Sequence, residues 1–134
     1  MSKVGGEIEY DIMRLVRASA LRDAVNGDIY LQGARPVGSN KEDIVISFMD
    51  GLDAQIQTGI VTINIYVPDI DNGTGVLVKN TSRCRELERI AYNSAKQFKS
   101  YGYYFSLGWL ITSFPEPDIH QHFVNVRIRF KLKC

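Results

Sequence analysis

The feature that most restricts this chain is a strict two-residue alternation at its end. Between His120 and Lys133, the residues Val124, Val126, Ile128, Phe130 and Leu132 take one parity, and Asn125, Arg127, Arg129, Lys131 and Lys133 take the other. A helical repeat of 3.6 would scatter both sets around a cylinder, whereas a strand gives each set its own face. The segment therefore predicts a strand that is apolar on one side and basic on the other. A sheet built around it has one packed face and one wet face, the usual arrangement of antiparallel sheets. The same alternation runs from Gln55 to Val67, with Val61, Ile63, Ile65 and Val67 opposed to Thr62, Asn64 and Tyr66. A third strand is expected over Glu42 to Met49, where Ile44, Ile46 and Phe48 share a side, and Asp50-Gly51 signals the turn between the two.

The covering layer comes from two stretches of helical periodicity. Over Glu7 to Val25, the residues Ile8, Ile12, Leu15, Val16 and Ser19 form a stripe, with Glu7, Glu9 and Asp11 early and Arg14, Arg17 and Arg22 later. That charge order complements the helix dipole, and Asn26-Gly27 predicts a left-handed stop. Thr81 or Ser82 is expected to cap a second helix whose stripe is Leu87, Ile90, Ala91, Ser94 and Phe98, ending at Ser100-Tyr101-Gly102. A short strand is expected over Asp28 to Gln32, followed by an irregular loop over 33–41. Pro68 closes the long strand, and 69–80 reads as an insertion-like loop with Val76, Leu77 and Val78 in it. Alternation from Tyr103 to Thr112, then Pro115-Glu116-Pro117-Asp118, predicts a closing hairpin. The expectation is an α+β fold in the order α-β-β-β-α-β-β. It has an antiparallel sheet of about five strands with two helices packed on it, as a single domain over 1–134.

Composition narrows the function. The 134 residues are 45% hydrophobic and 23% charged, ordinary for a globular chain able to bury its own core. A formal net charge of +1 gives a weak long-range field, so any role for positive charge must come from local clustering. No apolar run is long enough to span a membrane, and the start has no signal-like core. Cys84 and Cys134 are too few and too distant for a disulfide scaffold or a zinc pattern, and read as free thiols of a reducing compartment.

A search for chemistry finds little. Asp71-Asn72-Gly73-Thr74-Gly75 lacks the spacing of a phosphate-cradling loop. Asp69, Asp71 and Asn72 lack the closing glutamate of a calcium loop. His120 and His122, two apart on the expected strand, would share a face and could pair on a metal, but they read more simply as strand-edge residues. Cys84 falls in the first helical turn, where it is either an activated thiol or part of the buried stripe. No GxSxG elbow is present. The expectation is a non-enzyme without cofactor or metal. The most suggestive surface is the basic strand face of Arg127, Arg129, Lys131 and Lys133. It is either a solvated face that discourages edge aggregation or a contact for phosphate or an acidic protein. The second possibility makes a small nucleic-acid-binding module the alternative function.

Taken together, these features resemble the tail-terminator or tail-completion proteins of tailed bacteriophages. The likeness lies in the N-terminal helix ending at Asn26-Gly27, then Arg35-Pro36, and the paired strands Glu42–Ile46 and Gly59–Val67. The helix Arg83-Cys84-Arg85-Glu86-Leu87-Glu88-Arg89 and the closing hairpin complete it. It is one of pattern and length across the whole chain. The resemblance implies a virion subunit, assembled in the host cytoplasm, that forms a homo-oligomeric ring, usually a hexamer. That ring joins the tail tube to the portal or connector at the head-tail junction or neck. It also implies that loops 33–41 and 68–80, with Arg35, Pro36, Asp69, Asp71, Val76 and Leu77, are arms toward neighbours, and that the basic strand lines a lumen through which DNA passes.

Overall fold

The computed structural model describes residues 2–133. Its centre is the pair β3 (Ile56–Pro68) and β8 (Gln121–Lys133), antiparallel over their whole length from Ile56↔Lys133 to Pro68↔Gln121. Both are the segments with the clearest two-residue alternation, and their apolar parities face the same way: Val61, Ile63, Ile65, Val124, Val126, Ile128 and Phe130 are all buried. Outside this pair lie β2 (Ile44–Leu52), antiparallel to β3, and β1 (Ile29–Leu31), which joins β2 in parallel. The sheet is therefore mixed and not wholly antiparallel, because the chain crosses back through loop 33–41 between β1 and β2. On the far side of β8 stand β6 (Tyr103–Ser106) and β7 (Thr112–Glu116), each pairing with a different part of β8. The sheet thus has six strands, where about five were expected.

The strand expected over Tyr103 to Thr112 is interrupted. Residues 107–111 leave the ladder, so β6 and β7 are two short pieces along one partner. Pro115 and Glu116 remain inside β7, and the reversal is made by the 3-10 turn Pro117–Ile119. Asp50-Gly51 is likewise not a turn. A β-bulge between Phe48 and Asp50 shifts the register, and β2 continues through both residues to Leu52, with Gly51 opposite Gly59. The chain reverses only over 53–55.

The first helix also breaks. It forms as α1 (Gly5–Arg17) and α2 (Ala20–Ala24), with Ser19 extended between them and its hydroxyl donating to the Val16 carbonyl. The physical reason is phase. Leu21 and Val25 are buried, but five residues separate Val16 from Leu21, which would turn Leu21 off the stripe of an unbroken helix. The break resets it. Gly27 does not act as a left-handed stop, since its φ is not positive. It is needed for close approach, because a Cβ there would lie 2.4 Å from the Glu42 carbonyl oxygen and 2.3 Å from Asp43 Oδ1.

The last helix, α3 (Thr81–Ala95), is capped one residue earlier than expected, by the Asn80 side chain accepting from the Arg83 N–H. Its buried residues include Cys84, Leu87, Ala91 and Ser94. α1 packs on β1 and β2, and α3 on β8, β3 and β7, all against the apolar parity of the sheet, so the helices occupy one face. A separate two-stranded ladder, β4 (Ile70–Asp71) with β5 (Leu77–Val78), forms inside the segment expected to be a plain loop.

Candidate interaction surfaces

Four surfaces follow from this layout. The first is the basic parity of β8. Arg127, Arg129, Lys131 and Lys133 are all exposed on the face opposite the helices, as the alternation requires. Their cross-strand neighbours are Thr62, Ile60, Thr58 and Ile56 on β3, with Ser106 and Tyr104 on β6, and none of these is acidic. Among the described residues none of the four forms an ion pair. The segment 107–111, displaced from the ladder, crosses this face. Its Trp109 ring lies over both arginines, 5.4 Å from the Arg127 guanidinium and 5.1 Å from that of Arg129. Gly108 rests against Arg129, where a Cβ would meet Nη2 at 3.2 Å. Sequence reasoning missed Trp109, because its place in the alternation from Tyr103 to Thr112 read as an ordinary strand position.

The second surface is loop 33–41. Arg35 does not reach outward. Its Nε pairs with Asp43 Oδ2 at 2.9 Å, and its Nη2 donates to Gln121 Oε1 and to the carbonyls of Ser39 and Lys41. The guanidinium also stacks 4.1 Å from the centre of the Tyr66 ring. As an arm residue Arg35 is therefore corrected: it fastens the loop to the sheet. Burial alone would push Asp43 up. Hydrogen bonds from the Ser39 hydroxyl, Arg35 and the Asp28 N–H, together with the charge of Arg35, hold its carboxyl below the ordinary value. Pro36 and Val37 are exposed beyond this anchor.

The third surface is the segment after β3. Asp69 is also turned inward, its Oδ1 2.7 Å from His122 Nδ1, and its N–H donates to the His120 carbonyl. That fastening fixes the base of the β4–β5 hairpin. At the tip, Asp71 Oδ1 accepts from the N–H groups of Gly75 and Gly73, which lowers its pKa, and both glycines sit at positive φ. Ile70, Val76, Leu77 and Val78 are exposed along this short hairpin. The fourth surface is a shallow, mainly apolar depression of about 380 Å³ between Asp50 and Arg129, lined by Gly51, Leu52, Thr58, Gly59 and Ile60.

The possible chemical sites take other roles. His120 lies outside β8, in the left-handed conformation that ends the 3-10 turn (φ 54), so the two histidines do not share a strand face. Among the described residues no group of three or more His, Cys, Asp or Glu side chains is placed to hold a metal ion. Cys84 is buried in the α3 stripe, and burial pushes its thiol up, away from a reactive thiolate. Cys134 lies outside the described residues. No helix of the described chain is long and apolar enough to cross a membrane. The buried polar interactions are internal joints. Arg83 grips Glu42 through two hydrogen bonds and also holds the Ala24 carbonyl, and its pKa is raised chiefly by Glu42. Glu9 accepts from the Phe48 N–H and from the Gln32 side chain, closing β2 where β1 stops.

No protein-family model matches this chain, and no curated protein matches it.

Proposed function

We propose that this chain is a structural subunit of a homo-oligomeric ring at the head-tail junction of a tailed bacteriophage, acting by contact and not by catalysis. The observation that carries the reading is the β4–β5 hairpin. Its base is clamped by Asp69 and His122, while Ile70, Val76, Leu77 and Val78 stand in solvent. A rigidly based projection with a run of exposed aliphatic side chains is suited to burial against another chain. Head-to-tail contacts of this kind close into rings when the rotation per subunit permits. The polar clusters inside the fold support the same reading, since each is spent on joining one element to another. The resemblance in element order to tail-terminator proteins supplies the particular assembly, with the tail tube and the portal or connector as its neighbours. The experiment is sedimentation of the purified chain with and without Val76→Ser and Leu77→Ser together. A ring-sized species that the double variant dissociates supports the reading, and a parent that stays monomeric at every concentration removes it.

A further inference from the structure

We propose that the helix-free face of the sheet, from Arg127 to Lys133 with Trp109 and Tyr104 beside it, holds the phosphate backbone of a nucleic acid. This goes beyond the ring reading and stands on different residues. Alternate positions on a strand are about 6.7 Å apart, so these side chains set a straight row of cations over about 20 Å. A regularly charged polymer can follow such a row, whereas the charges of a folded acidic protein are irregularly placed. Among the described residues the row forms no ion pair, and its cross-strand neighbours are Thr62, Ile60, Thr58, Ile56, Ser106 and Tyr104. The nearest acid on this face along the sheet is Asp50, opposite Ile60 and two strands from Arg129, and Glu116 lies at the far end of β8 opposite Gln121.

The aromatic partner adds a second argument. A guanidinium stacked on an indole keeps its charge and leaves its N–H edge free, and it is held in one orientation. Trp109 lies over the guanidinium groups of Arg127 and Arg129 together, with the Arg127 Nε–H donating to Asn125 Oδ1. Tyr104, 65% exposed and opposite Lys131, offers a further ring against which a base can stack. Cations in a row beside exposed rings are what a sequence-tolerant contact with a nucleic-acid strand requires.

Trp109 is the only tryptophan in the chain, so its fluorescence reports directly on this face. The test titrates the full chain with a mixed-sequence duplex and, separately, with a single-stranded oligonucleotide, at about 50 to 200 mM salt. If one subunit engages all four cations of the row, affinity for duplex falls roughly 10²-fold over that range. The variant Arg129→Gln/Lys131→Gln should flatten the log–log salt slope by about 1.8 on duplex or about 1.4 on single strand for each engaged subunit. The charge-preserving variant Arg129→Lys/Lys131→Arg should retain the slope. The stronger-binding probe identifies which form of the backbone is preferred. Binding of neither oligonucleotide at 50 mM salt overturns the proposal, and so does a slope unchanged in the Gln variant. Binding of polyglutamate alone overturns it in favour of an acidic protein. None of these outcomes depends on whether the chain sediments as a ring.

Discussion

Asp43 shows how single residues carry this structure. It is almost completely buried, and it takes hydrogen bonds from Ser39, Arg35 and the Asp28 N–H, so β1, β2 and loop 33–41 meet at one carboxylate. Removing its charge leaves the Arg35 guanidinium, 14% exposed at the side chain, without its counter-ion. Asp43→Asn is expected to cost about 3 kcal/mol at neutral pH, measured by urea unfolding. The pH dependence follows from the lowered pKa. A group whose folded value lies below its ordinary 3.8 stabilises above 3.8 and loses that contribution as pH falls through the folded value. The gap between parent and variant should therefore be full above about pH 5 and shrink below pH 3.8. Gly27 is the neighbouring constraint. Gly27→Ala places a methyl group against the Glu42 backbone and Asp43, and is expected to cost about 1–3 kcal/mol in the same assay.

Among elements, what the sequence made legible was periodicity within segments. The alternation of Ile56–Pro68 and Gln121–Lys133 placed both central strands and the exposed row from Arg127 to Lys133, because parity decides which side faces the core. Interruptions were illegible where local pattern and tertiary demand disagreed. The stripe of α1 continues through Ser19, but burying Leu21 and Val25 required a new phase. The alternation from Tyr103 to Thr112 is continuous, yet residues 107–111 leave the ladder and set Trp109 over the arginines. Asp50-Gly51 has the composition of a hairpin turn, but β2 runs on through it by means of a bulge. The resemblance to tail-terminator proteins implied that Arg35 and Asp69 are arm residues. Their distant partners, Gln121 and Tyr66 for Arg35 and His122 for Asp69, are far enough along the chain that only the fold brings them together. The helix start gives a direct check: Asn80→Ala removes the acceptor of the Arg83 N–H and should cost about 1 kcal/mol in thermal or urea unfolding.

At the scale of the whole molecule, the sheet divides the chain into a face committed to its own core and a face the helices leave uncovered. The helices cover the apolar parity. Loop 33–41 closes one end of the opposite face by stacking Arg35 on Tyr66, and 107–111 crosses its middle. The β4–β5 hairpin stands at the end of β3 where Pro68 pairs with Gln121. The apolar depression at Leu52 and Ile60 lies toward the other end of that strand, about 30 Å away. One subunit cannot bring these two features together; in the proposed ring a neighbouring copy would. Because Val76 and Leu77 are already in solvent, replacing both with serine should change unfolding free energy by no more than about 0.5 kcal/mol while weakening association. The most direct test of the account is the solution mass of the purified chain, measured by sedimentation and matched to negative-stain images. The account predicts a closed ring several times the 15.2 kDa of one chain, and a homogeneous 15.2 kDa species at all protein concentrations contradicts it.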